Sequence, residues 1–367
     1  MSANKKNIAI VIDTLNGGGA EKVCLVLAKH MKNLGANVSL IVLKKHCDYT
    51  LPKNLDVRFM FNDRKTKLFK KINQHIAAEK VKEISLEMGG FDLVLSNLDG
   101  AHPVCKLASL ENTWYVVHNS IDEKLRRAFW LGPVKYLKQK KIYSLFNGEN
   151  VVAVSRGLES ELLAGRKVKP RRIVQIYNPL DLEEIDSLKN AFTPSLSEPY
   201  IVHVGRFAKM KRHDILFSAF RKIDANVKLV LLSNNTQKLA KAVAKAGLQD
   251  QVVIPGFQQN PYPWLKHAKA LVLSSDAEGF GMVLVEALAC GTPVVSTKCK
   301  HGPDEILCNE LAAYLCAVGD VDALANTIEN VLKNPPDIVR LKEAKKLKIL
   351  QEINAESIAK AYLKLAN

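Results

Sequence analysis

One stretch limits what this chain can fold into more than any other. Residues 274–305 read SSDAEGFGMVLVEALACGTPVVSTKCKHGPDE. The apolar run before them, Ala270–Leu273, reads as a buried strand, and it stops at a polar, glycine-bearing loop from Ser274 to Gly281. A helix from Met282 to Ala289 follows and closes at Cys290-Gly291-Thr292-Pro293, where glycine supplies a left-handed cap and proline prevents continuation. Val294–Thr297 is a second apolar strand, and His301-Gly302-Pro303 turns into a further helix at Asp304-Glu305. Such a strand-loop-helix repeat builds an open parallel sheet, in which ligands sit at the carboxyl ends of the strands. Two acids stand there. Glu278 lies in the loop and Glu286 eight residues on, a little over two helical turns, so the helix can carry Glu286 round toward the loop. Among Val285, Ala287 and Leu288 a carboxylate needs a partner. A vicinal diol is one such partner; the alternative is that Glu286 faces solvent and Glu278 is only a loop acid.

The run Glu278-Gly279-Phe280-Gly281-Met282-Val283-Leu284-Val285-Glu286, continued by Ala-Leu-Ala-Cys-Gly-Thr-Pro-Val-Val, resembles the E-x7-E signature of retaining glycosyltransferases of family 4. The resemblance implies the GT-B fold, an α/β architecture of two doubly wound Rossmann-like domains facing across a cleft. It covers nearly the whole chain and is strongest over residues 200–306.

At 367 residues the chain has room for two domains, each with its own core. The expected division is 1–188, with a C-terminal helix from about 353 to 367 packing back on it, and 198–352. The polar, proline-bearing residues 186–199 read as the linker. No apolar run approaches the ~18 residues of a membrane span. The lead into the first strand is too short, and meets Asp13 too soon, for a signal peptide, so a cytoplasmic location is expected. The 7 cysteines fit no metal-binding spacing and read as reduced, mostly core residues. Nearly all of the net charge of +16 falls before residue 181. That asymmetry points to an anionic partner (a membrane surface, a nucleic acid or a phosphorylated substrate) or simply to solubility.

In chain order, Ile8–Ile12 is the first strand, and it meets Asp13-Thr14-Leu15-Asn16-Gly17-Gly18-Gly19 before a helix at Ala20-Glu21. Strand, glycine loop and helix N-terminus present amide N–H groups to an anion. By resemblance Gly18 and Gly19 approach the donor diphosphate, while Asn16 and Gly17 belong to the acceptor side. Residues 64–88 read as a helix with a basic start. Trp114–Val117 ends in His118-Asn119. A lone histidine at a strand end can be structural or part of a site, and the resemblance places His118 at the donor sugar and Asn119 in the cleft. Residues 124–141, KLRRAFWLGPVKYLKQKK, interleave Phe129, Trp130, Leu131, Tyr136 and Leu137 with basic residues and contain no acid. They suit an interfacial surface on anionic lipid, or a helix pair whose aromatics face the core. Tyr177-Asn178-Pro179-Leu180-Asp181 resembles the segment that ends the family's first domain, with Asn178 at the cleft.

The second domain opens with the strand Tyr200–Val204 and then Gly205-Arg206-Phe207-Ala208-Lys209-Met210-Lys211. Two cations at a strand end can clamp a diphosphate, Arg206 as a fork and Lys211 as a point charge. This matches the family's G-R-x4-K pattern, except that Arg212 stands where relatives often have glycine. The loop Ser233-Asn234-Asn235-Thr236 lacks the family's G-x-G turn, so no contact is assigned there. Phe257 is placed at the edge of the base pocket, and Glu305 matches a family turn beside the second glutamate. Three C-terminal helices are expected, at Val321–Leu332, Ile338–Leu350 and Ala355–Leu365.

The resemblance implies a glycosyltransferase in which Glu286 takes the ribose hydroxyls, Arg206 and Lys211 stabilise charge growing on the leaving diphosphate, and Glu278, with His118, holds the sugar. Gly279, Phe280, Gly281, Met282 and Val283 complete the nucleotide-sugar loop. No metal or other cofactor is expected to be required. The donor is a nucleotide diphosphate sugar, with a UDP-sugar foremost. The outcome is retention, and the acceptor is a glycolipid or polyprenyl-linked oligosaccharide in bacterial surface polysaccharide synthesis. The enzyme would act from the cytoplasmic face of the inner membrane, held through its basic N-terminal domain, with no nucleic-acid partner. A nucleotide-sugar epimerase on the same fold would share the clamp yet release free sugar. A basic nucleic-acid-binding protein would explain the charge, but no helix-turn-helix, RRM or KH pattern is present.

Overall fold

The computed structural model describes residues 5–63, 66–68, 70–165, 167–224, 226–336 and 347–367. Its contacts divide the chain into two compact units, Met1–Pro179 with Ile353–Asn367, and Leu180–Glu352. Each is built on one wholly parallel sheet with the GT-B pattern of two α/β domains.

The first sheet comprises β1 (Asn7–Ile12), β2 (Asn37–Lys44), β3 (Asp56–Phe61), β4 (Leu93–Asn97), β5 (Thr113–Val117), β6 (Asn150–Ala153) and β7 (Arg172–Gln175). Their spatial order is β3-β2-β1-β4-β5-β6-β7. The second comprises β8 (Tyr200–Val204), β9 (Lys228–Leu232), β10 (Val252–Val253), β11 (Ala270–Leu273), β12 (Val294–Thr297) and β13 (Leu315–Cys316), in the order β10-β9-β8-β11-β12-β13. Central strands of such sheets are covered on both faces and therefore read as unbroken apolar runs. Ile8 to Ile12 and Leu271 to Leu273 are wholly buried. In each sheet the strand order reverses once, between β1 and β4 and between β8 and β11. The crevice beyond the carboxyl ends at such a switch point is where ligands bind.

The residues after Glu352 return to the first unit. Asn354 caps the helix Ala355–Leu363 by accepting from the amides of Glu356 and Ser357. That helix packs on Gly19–Asn33, burying Ile358, Ala359 and Tyr362.

Three boundaries differ from the sequence expectation. The break comes at Pro179 and not at 186–199. The reason is a short helix, Leu182–Leu188, capped by Asp181, which buries Ile185 and packs on the helices Tyr262–His267 and Met282–Ala289 of the second unit. The basic helix starts at Lys71 and ends at Glu87; Arg64, Lys65 and Phe69 lie outside the described residues, and Thr66–Leu68 are not helical. Of the helix expected over Ile338–Leu350, residues 338–346 lie outside the described residues, and the described helix is Lys348–Glu352.

Tyr362, in the last turn of the returning helix, is 1% exposed. Tyr362→Ala is expected to cost about 3–5 kcal/mol, the usual range for a large buried aromatic. Amide exchange should then accelerate in β1 and Gly19–Asn33 while β8 and β11 stay protected. Equal acceleration in both sheets would contradict this assignment of the helix.

Candidate functional site

In the second unit three loops leave the carboxyl ends of β8, β11 and β12 and are tied to one another. Lys211, from the β8 loop, points its ammonium at Glu278 in the β11 loop, with Nζ donating to Oε1 at 2.7 Å. Their side chains are only 18% and 12% exposed, so neither charge is well hydrated and each needs the other. The backbone repeats the link. Asp276 N donates to Met210 O at 2.9 Å, and the Ser274 hydroxyl donates to Lys211 O at 2.8 Å. The β12 loop joins through Glu278 N to Lys300 O at 2.6 Å and through His301 N to Glu278 O at 3.2 Å. Gly302 lies hard against Phe280. Its φ is +97° and a Cβ there would meet the Phe280 carbonyl oxygen at 2.0 Å, so only glycine fits.

Arg212 explains its own departure from the family pattern. Its φ is +47°, the left-handed region that glycine occupies without penalty. Here the guanidinium holds the strained residue in place, donating to Asp276 at 2.9 Å and, from Nε and Nη2, to Asp214 at 3.0 and 2.8 Å. Arg206, by contrast, is exposed and makes no ion pair among the described residues.

Glu286 is 8% exposed, which removes the solvent-facing alternative. It lies close enough to Tyr262 to help push that hydroxyl well above its usual range, although burial is the larger cause. Phe280 and Gly279 are buried, Gly281 begins the helix with φ +94°, and Met282, Val283 and Phe257 are half-buried.

Behind the β8 loop lie two buried imidazoles, His203 and His213, in edge-to-face contact with centroids 4.8 Å apart. His203 Nδ1 donates to Val272 O at 2.9 Å, while its Nε2 and both nitrogens of His213 have no hydrogen-bond partner. Burial lowers both pKa values, that of His213 to about 4. Both rings are therefore neutral.

In the first unit, the β1 loop carries Asn16 and Gly17 half-buried, Gly17 with φ +53°, and leads to the helix Gly19–Asn33. The buried Glu21 folds back onto Gly18, where an added Cβ would meet its carboxylate at 2.1 Å. The chain thus places its own acid beside the expected anion-binding amides. Gly19 is open on its Cβ side. His118 and Asn119 follow β5 and are half-buried. The His118 Nε2 pairs with Asn97 Oδ1 at 2.9 Å, and burial pushes its pKa down to about 3, so it acts as a neutral hydrogen-bonding group. Asn178 is buried with its Oδ1 unpartnered. The structure thus joins Lys211 to Glu278 directly, with Gly279, Phe280 and Gly281 following in the same loop.

Comparison with known proteins gives the family and the fold. Residues 17–184 match the model described as Glycosyltransferase Family 4, and residues 184–348 match Glycosyl transferases group 1. The chain belongs to glycosyltransferase family 4. A relative from Campylobacter jejuni, N-acetylgalactosamine-N,N'-diacetylbacillosaminyl-diphospho-undecaprenol 4-alpha-N-acetylgalactosaminyltransferase, is 25% identical over 90% of this chain and 91% of its own. The lipopolysaccharide 1,6-galactosyltransferase of Escherichia coli K12 is 30% identical over 46% of this chain and 48% of its own. Anabaena HepE, solved with UDP-glucose, superposes with a TM-score of 0.74 at 18% identity, covering 98% of each chain, and so shares the fold.

Several features of this glycosyltransferase were not readable beforehand. The Arg212–Asp276 tie joins residues 64 apart in sequence, the His203–His213 pair links a strand to the following helix, and no local spacing announces either. Asp13 carried a usable signal, as a lone acid directly after a fully apolar strand. Its Oδ2 accepts from the Gly100 amide at 3.0 Å, Oδ1 is buried without a partner, and burial raises its pKa to about 7.

Because the folded imidazoles of His203 and His213 resist protonation while the unfolded chain takes up protons below about pH 6.5, acid favours unfolding. Stability should be full above that pH and fall toward pH 4, by up to about 1.4 kcal/mol per pH unit per histidine. His213→Phe should flatten the decline of melting temperature between pH 7 and 5. An unchanged slope would show that other groups carry the acid sensitivity.

Proposed function

We propose that this glycosyltransferase transfers a sugar, with retention at the anomeric carbon, from a nucleotide diphosphate donor to a membrane-associated glycolipid or lipid-linked oligosaccharide in surface polysaccharide synthesis. The observation that carries the donor half is the Lys211–Glu278 pair at the β8/β11 switch point. An ammonium has three donors and a carboxylate two acceptor oxygens. The pair uses one of each, leaving Lys211 able to reach phosphate oxygens and Glu278 a sugar hydroxyl. Arg206, exposed and without an ion pair, is assigned to the same diphosphate, where the two cations act most as negative charge grows on the leaving group. Buried Glu286 is assigned to the ribose diol and Phe257 to the base. These cations do the charge stabilisation that a metal does elsewhere, so transfer is proposed to need no divalent ion. In the first unit, Asn16, Gly17, Asn119 and Asn178 are assigned to the acceptor, and Gly18, Gly19 and neutral His118 to the donor.

The acceptor half rests on a surface. Phe129, Trp130, Leu131, Val134 and Leu137 are 61–79% exposed, along the helices Ile121–Trp130 and Pro133–Tyr143. The aromatics do not face the core, except that Tyr136 is half-buried. Large apolar side chains set among lysines and arginines fit the interface of an anionic bilayer. No helix among the described residues is long and apolar enough to cross a membrane. The names of the relatives above, one acting on a diphospho-undecaprenol-linked sugar and one on lipopolysaccharide, support the same acceptor class.

With EDTA present, one of UDP, GDP or ADP should raise the melting temperature by mass action, and Glu286→Ala or Arg206→Ala should abolish the shift. No shift with any nucleotide would sink the donor assignment. Lys211→Ala should lower kcat by about 10²–10³-fold, as loss of one preorganised charge-stabilising group does elsewhere.

A separate outcome is expected at the surface. The double change Phe129→Ser with Trp130→Ser should release the protein from phosphatidylglycerol vesicles in a flotation assay while leaving the nucleotide shift intact. Retention on the vesicles would show that this patch is not the membrane contact.

A further inference from the structure

The first unit contains a hollow of about 650 Å³ beside the carboxyl ends of β1 and β2. Four of its lining residues are lysines from three parts of the chain: Lys44 ends β2, Lys67 and Lys70 precede the helix Lys71–Glu87, and Lys138 belongs to Pro133–Tyr143. The hydroxyl-bearing Thr14 and Thr66 line it too. Tertiary folding, not a local run of sequence, brings these lysines round one space, and the mutual repulsion it creates is relieved by a bound anion. Lys44, Lys67 and Lys70 have no carboxylate partner among the described residues. The acid on the lining is Asp13. Burial raises its pKa to about 7, so at neutral pH it is only partly ionised and offsets at most one of the lysine charges.

We propose that this hollow binds a diphosphate ester, the anionic linker of the acceptor, and so selects acceptors that carry a sugar on a diphosphate. The inference rests on the acceptor class proposed above. Lysines suit this task as point charges that can each approach a different phosphate oxygen, whereas a planar carboxylate favours an arginine fork. The volume lies in the usual range of small-molecule sites and exceeds that of a single phosphate, leaving room for part of an attached group. Lys138 shares its helix with exposed Leu137 and Val134, so an anion in the hollow would lie close to the apolar surface that a lipid-linked acceptor needs. Anionic headgroups of the bilayer carry the same phosphate-ester chemistry and are the competing source.

Lysine acylation mapped by mass spectrometry tests the proposal on the unaltered protein. Inorganic pyrophosphate should protect Lys44, Lys67, Lys70 and Lys138 at least threefold relative to other exposed lysines. Protection should persist in Arg206→Ala, which removes one of the two competing cations of the second unit. Lys44→Ser with Lys138→Ser should weaken pyrophosphate binding at least tenfold in that background and leave the UDP thermal shift of the otherwise unaltered protein in place. Even protection of all surface lysines, or protection by phosphatidylglycerol vesicles but not by pyrophosphate, would overturn it. The nucleotide shift, measured in parallel, separates the two readings. Its loss with protection intact removes the donor assignment alone, and its presence without protection removes the diphosphate hollow alone.

Discussion

An ammonium and a carboxylate with little access to water, 2.7 Å apart, hold the end of the second sheet together. Lys211 and Glu278 are 67 residues apart in sequence, and each leaves a strand beside the switch point. Separating them would strand two charges in a poorly hydrated place, at a cost well above that of a surface pair. The surrounding contacts depend on this closure. Arg212 can hold its left-handed backbone because Asp276, two residues before Glu278, is within reach. Phe280 can lie on Gly302 because Lys300 and His301 already bind both backbone groups of Glu278. The result is a preorganised set of loops with unused donors and acceptors, which is what electrostatic stabilisation of a leaving group requires.

Positive charge is handled differently in the two units. At the β8 loop, Lys211 and Arg212 are each matched by acids, so a ligand entering there finds fixed, partly neutralised groups. In the first unit, Lys44, Lys67 and Lys70 at the β1/β2 hollow make no such ion pair among the described residues. A compensated cluster favours geometric discrimination of a small ligand, whereas an uncompensated one favours capture of a highly charged group and is more sensitive to salt.

What could be read in advance follows from how local each signal is. Ala270–Leu273, Met282–Ala289 and Val294–Thr297 emerge with the ends expected for them, because each apolar run is bounded by glycine, proline or polar turn residues. The GT-B architecture came from the family resemblance of the Glu278–Glu286 region, and the two wholly parallel sheets agree with it. β13 was not legible: Leu315–Cys316 becomes a strand only by pairing with Ser296 and Thr297. The start of the basic helix was misplaced because helix propensity continues upstream of Lys71, and propensity is a weak guide when tertiary contacts decide. The aromatics of 124–141 were ambiguous since periodicity shows that a helix has an apolar side but not whether anything covers it. The absent glycine at 212 was visible, yet the ion pairs that make an arginine tolerable there lie two residues ahead and 64 residues away in sequence.

The helix Ala355–Leu363 closes the first unit although the whole second unit lies before it in the chain. Synthesis on a ribosome therefore delivers the second unit's residues before the first unit's last element. Until Ile358, Ala359 and Tyr362 emerge, the apolar side of Gly19–Asn33 that they cover stays open to water. The nascent first unit must wait, incompletely packed, until the second unit and then this helix have been made, and that interval is when a chaperone or a neighbouring chain has access to it.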